Sequence, residues 1–129
     1  MRVKLNFQKD SVNPKNHLVF IEFVKFLFDK LPLQRDILIK IVTTKKGKMT
    51  TGGRYDNGII QVMGGKRLIR DILRTLAHEW IHEYQMTILG RSKGPNIGGV
   101  NEDEANAFAG RFIKMFEEEF PSYEKNMYE

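Results

Sequence analysis

The chain contains no cysteine. That excludes disulfides and thiolate metal sites and fits a reducing compartment. Histidine is nearly as scarce, with 3 in 129 residues. Any metal site must draw on those three and on carboxylates. No long apolar run is present either. The longest, over residues 18–31, is broken by Glu22, Lys25 and Asp29, so it cannot serve as a membrane span. The first residues, Met-Arg-Val-Lys-Leu-Asn-Phe, lack the apolar stretch and small-residue cleavage site of a secretory signal. A cytoplasmic protein without membrane contact is expected.

What is present suits one soluble domain spanning residues 1–129. Charged residues make up 29% and hydrophobic residues 41%, an ordinary globular mix. The net charge of +5 is unevenly spread. Residues 1–50 carry 11 Lys/Arg against 4 Asp/Glu, whereas residues 101–129 carry 3 against 8. No aromatic-interleaved basic motif accompanies the excess, so it reads as solvated surface rather than a nucleic-acid interface.

Residues 2–7 alternate apolar and polar, the signature of a short strand. Residues 14–31 form an amphipathic helix on which Leu18, Ile21 and Phe28 recur at helical spacing, and Pro32 ends it. The phenylalanines at 20, 23, 26 and 28 read as core. The β-branched run at 37–43 predicts a central strand. A turn at 45–48, a short strand at 49–51 and a strand at 58–63 follow. Residues 66–89 predict a long helix capped near Gly90. A glycine-rich loop then leads to a last helix from Asn101 or Glu102 to about Phe120.

The long helix carries His78-Glu79-Trp80-Ile81-His82. This is H-E-x-x-H, and residues four apart lie one turn apart on one face. Two imidazoles so placed can reach one metal ion, and the glutamate beside the first can take a proton from a metal-activated water. Trp80 points away from both histidines and reads as core. A catalytic zinc needs a third protein ligand. His17 is one candidate, and the acidic cluster Glu102-Asp103-Glu104 offers better ones. Glu102 is favoured. Glu104 is the rival, since residues two apart do not share a helix face. The cluster also complements a helix N-terminus. Asn106, one turn after Glu102, could support a ligand histidine. Tyr55, Tyr84, Arg91 and Lys93 are candidates for oxyanion donor. Residues 58–63 are the expected edge strand for substrate pairing.

His78–His82 together with Glu102-Asp103-Glu104-Ala105-Asn106-Ala107-Phe108-Ala109 resembles the gluzincin pattern. The second half is similar to the ImmA/IrrE family of small metallopeptidases of phages, mobile elements and bacteria. SprT-like and other small zincins also carry H-E-x-x-H. The resemblance spans residues 70–113 and implies Zn²⁺ held by His78, His82 and Glu102, with Glu79 as general base for peptide hydrolysis. It implies an α+β, minimal zincin-like fold. A small twisted sheet of about three strands would pack on an N-terminal helix, the H-E-x-x-H helix and a glutamate-bearing C-terminal helix. A peptide or protein substrate of narrow specificity and a monomeric or weakly associating chain are expected. The alternative is a catalytically silent or structural-zinc module that docks on a repressor or nucleic acid.

Overall fold

The computed structural model describes residues 2–43, 52–92 and 99–129. Strand β1 (Val3–Phe7) realises the alternation of the first residues. A 3₁₀ turn at Pro14–Asn16 follows, in which the Asn13 side chain accepts from the Lys15 amide. It leads into α1 (His17–Lys30), which stops before Pro32. Strand β2 (Ile37–Val42) is the β-branched run. Then come β3 (Gly53–Asp56), β4 (Ile59–Met63), α2 (Ile69–Thr87), α3 (Val100–Glu119) and a last turn α4 (Glu124–Met127).

The described residues thus form an α+β fold with four α-helices and one mixed sheet. Its strand order is β1-β2-β4-β3. β1, β2 and β4 run parallel, and β3 is antiparallel to β4. None of the helices is long and apolar enough to cross a membrane.

Two expectations about the sheet need correction. The sheet has four described strands rather than about three, because Gly53-Arg54-Tyr55-Asp56 pairs although it lacks an alternating apolar pattern. The strand at 58–63 is also not an edge: β4 is bonded to β2 on one side and to β3 on the other. The turn at 45–48 and strand at 49–51 lie outside the described residues. Asn57 and Gly58 form the two-residue β3–β4 loop, with φ of 46° and 86°. Positive φ at both central residues gives the turn whose twist matches its strands, and Asn-Gly tolerates it best.

The core lies where α1, α2, α3 and the sheet meet. Ile39, Ile41, Ile60 and Val62 of the sheet and Ile72, Leu73, Leu76 and Trp80 of α2 are fully buried. Each such aliphatic side chain contributes about 1.5–3 kcal/mol relative to its exposed state. Phe23 of α1 meets Phe116 of α3 edge-to-face at 5.0 Å. The α1 face differs from expectation. Val19, Phe20, Phe23, Val24, Phe26 and Leu27 are buried, whereas Leu18, Ile21 and Phe28 are exposed. Most of this helix is apolar, so its periodicity alone does not choose the inward face. Trp80 is core as expected, and its indole N–H donates to the Leu31 carbonyl at 3.0 Å.

Two glycines allow close approach. A Cβ on Gly64 would stand 2.4 Å from the Ser11 carbonyl oxygen. A Cβ on Gly53 would stand 2.4 Å from Thr75 Cγ2 and 3.2 Å from Glu79 Cγ. Strand β3, the edge among the described strands, therefore lies directly on α2, beside the glutamate of the motif.

Candidate metal centre

Helix α2 sets His78 and His82 one turn apart, with their Nε2 atoms 3.1 Å from each other. The first turn of α3 brings Glu102 across both. One carboxylate oxygen stands 2.8 Å from His78 Nε2 and the other 3.0 Å from His82 Nε2. All three side chains are about 15% exposed, enough for solvent or a ligand to enter. Glu79 is nearly buried, with Oε1 3.8 Å from His78 Nε2. Donor atoms of His78, Glu79 and His82 lie within 4.8 Å of one another, a grouping that could hold a metal ion.

Gln85 decides which ring nitrogen of His82 faces the centre. Its amide nitrogen donates to the Asn101 carbonyl at 2.9 Å and to Glu104 Oε1 at 3.0 Å. Its oxygen is therefore the acceptor for His82 Nδ1–H at 2.9 Å. With the proton assigned to Nδ1, the Nε2 lone pair points at Glu102. Burial first, reinforced by His82 and opposed by Glu102, holds His78 below the ordinary histidine range. A neutral imidazole is the ligand form. Asn106 hydrogen-bonds the His78 side chain.

The donor set fits a cation. The Nε2 atoms of both histidines and the Glu102 carboxylate converge on a common point, and each of the three groups can present a lone pair to a metal ion placed there. Ligands at about 2.0–2.1 Å around a tetrahedral metal stand roughly 3.3 Å apart. The distances here are within about half an ångström of that spacing.

The structure separates the remaining candidates. Glu104 does not join the histidines. Its carboxylate binds Arg91 at 2.7 Å and Gln85, and these two bonds hold it below the usual carboxylate range. His17 is remote: its ring stacks on Phe7 at 3.8 Å and its Nε2 contacts the Val12 carbonyl. Of the proposed oxyanion donors, Arg91 is engaged by Glu104 and Asn101. Tyr84 packs against the core, and Lys93 lies outside the described residues.

Tyr55 belongs to a network that sequence reasoning missed. Glu83 is completely buried on α2 and binds Arg35 through two nitrogens, at 2.7 and 2.8 Å. Tyr55 OH also donates to Glu83. Arg35 continues to Asn57 at 2.9 Å. Burial first, then the Glu83 contact, pushes the Tyr55 hydroxyl up to about 12. This network ties the β3–β4 hairpin to α2 one residue beyond His82. Only position could have signalled Gln85 and Glu83. Gln85 stands three residues after His82, within reach of the same helix face.

Comparison with protein-family models, curated proteins and solved structures finds no match to this chain. The functional reading rests on the site itself.

Proposed function

We propose that this chain is a zinc-dependent metallopeptidase of minimal zincin-like architecture. The observation that carries the reading is Glu102 spanning His78 and His82, with Glu79 beside them. Zinc held there would act as a Lewis acid on a peptide carbonyl and acidify a water.

The rest is the work of the chain. His78, His82 and Glu102 are the three ligands, and Gln85 fixes the His82 tautomer that exposes Nε2. Glu79 accepts the proton of the attacking water and delivers it to the leaving amine. Near-complete burial of Glu79 keeps bulk water from competing for that proton. The order of helix, sheet, H-E-x-x-H helix and glutamate helix supports the zincin comparison. Among the described strands, β3 is the sheet edge nearest Glu79 and offers a substrate segment a strand to pair with. This replaces β4 in that role.

Elemental analysis after purification in zinc should give one ion per chain. Glu79→Gln should keep that ion and the fold while lowering hydrolysis by about 10²–10⁴-fold. His78→Ala should lose the ion. Full activity in Glu79→Gln would overturn the assignment of the base. A fourth protein ligand in the metal shell would make the site structural instead.

A further inference from the structure

The helix faces that build the metal centre continue past it. On α2, Arg70, Arg74, His78 and His82 follow one another at four-residue spacing, one above the other. On α3, Glu102, Asn106, Gly110 and Lys114 do the same. The helices run antiparallel, so the two rows meet in opposite order. Glu102 faces both histidines, and Asn106 bonds His78. A Cβ on Gly110 would stand 3.5 Å from Arg74 Nη2. Arg70 reaches Glu117 at 3.2 Å.

Beyond Asn106 the two rows open into a cavity of about 520 Å³, whose lining includes Arg70, Arg74, Asn106, Gly110, Arg111 and Lys114. Four cations and no carboxylate line it. Glu117 neutralises Arg70. Among the described residues, Arg74, Arg111 and Lys114 have no ion-pair partner, whereas Arg35 and Arg91 on the other side of the site are each paired to a carboxylate. Arg111 is steadied over the Phe108 ring at 5.2 Å. Glycine in mid-helix costs stability. At position 110 it leaves the cavity floor open beside Arg74.

We propose that this furrow is a subsite for an acidic side chain of the peptide substrate, an aspartate or glutamate close to the bond cleaved. The inference rests on the peptidase reading of the metal centre. Successive positions on each row are one helical turn, about 5.4 Å, apart. An extended peptide advances about 3.3 Å per residue. A side chain one to three residues from the cleaved bond therefore reaches Arg74 and then Arg111 and Lys114. A carboxylate there gains charge-assisted hydrogen bonds from guanidinium forks. No aromatic ring lines the cavity, and single-stranded nucleic acid relies on such rings for stacking. The chemistry therefore favours an acidic peptide over an oligonucleotide.

The test uses a synthetic peptide library in matched pairs, glutamate against glutamine at one position on either side of the cleaved bond. The zinc-loaded protein should prefer the acidic member by about tenfold in kcat/KM, the effect of one charge-assisted contact. The preference should appear in KM, shrink with salt and collapse in the Arg74→Gln, Arg111→Gln double variant. Arg74→Lys with Arg111→Lys should restore part of it. Fluorescence anisotropy of labelled library members on zinc-loaded Glu79→Gln reads binding without turnover. Selective binding of the acidic member with no peptide cleaved supports the subsite and sinks the peptidase reading. Cleavage with no acidic preference leaves the peptidase and sinks the subsite. Retention of a single-stranded oligonucleotide in place of acidic peptides, lost in the double variant, would also overturn it.

Discussion

Gln85 shows how much one amide can decide. Its oxygen sets the His82 proton, and its nitrogen holds the first turn of α3, which carries Glu102. Gln85→Leu is expected to weaken zinc binding about 10–100-fold without unfolding the chain. Competition with a chromophoric chelator measures this directly. Tyr55 offers a second check, with the sign fixed by its raised pKa. The unfolded hydroxyl titrates near 10, and the folded one near 12. The contribution of Tyr55 to stability is therefore fully present below pH 10 and is lost as pH rises toward 12. Denaturant unfolding of the wild-type chain should show that loss. Tyr55→Phe should flatten the alkaline limb and remove the component near 12 from the tyrosinate absorbance titration.

At the scale of elements, the helices were legible because their periodicity and terminators are local. Pro32, Gly90 and Pro121 bound apolar segments, and α2 and α3 lie within a few residues of the expected spans. His78, Glu79 and His82 were legible for the same reason, since one helix fixes their spacing. By face arithmetic alone, Glu102 and Glu104 cannot both turn to the histidines. Glu102 is the one the family resemblance implies, and it is Glu102 that meets them while Glu104 binds Arg91 and Gln85. Strand order was not legible, because pairing of β2 with β4 rather than β3 is a choice between distant segments. Nor was β3, whose Gly53 is a poor strand former kept for its contact with α2. That contact can be tested. Gly53→Ala should destabilise by about 1–3 kcal/mol through overpacking on Thr75. Thr75→Ser removes the colliding methyl and keeps the hydroxyl that Arg67 donates to. The double variant should regain much of the loss in denaturant unfolding.

For the whole molecule, a metal at His78, His82 and Glu102 would join α2 to α3. The core beneath is already extensive, so removing the metal should leave the chain folded. Zinc at about a hundredfold excess over Kd should add roughly 2.7 kcal/mol of stability. Calorimetry should show a zinc-dependent rise in Tm in the wild-type chain and none in Glu102→Ala. An unchanged Tm in saturating zinc would argue against the site. The positive charge also gains a location. Part of it gathers at one end of the α2–α3 furrow, while the acidic excess of residues 101–129 includes the glutamate beside the histidines.

Trp80 is the chain's single tryptophan, completely buried between the two histidines of the motif in sequence and bonded to the end of α1. The site helix therefore carries its own optical label. Emission should be blue-shifted and shielded from iodide, and a paramagnetic ion such as cobalt placed at the histidines should quench it. The state of the centre can then be followed by light alone, without a dye and before any substrate is known.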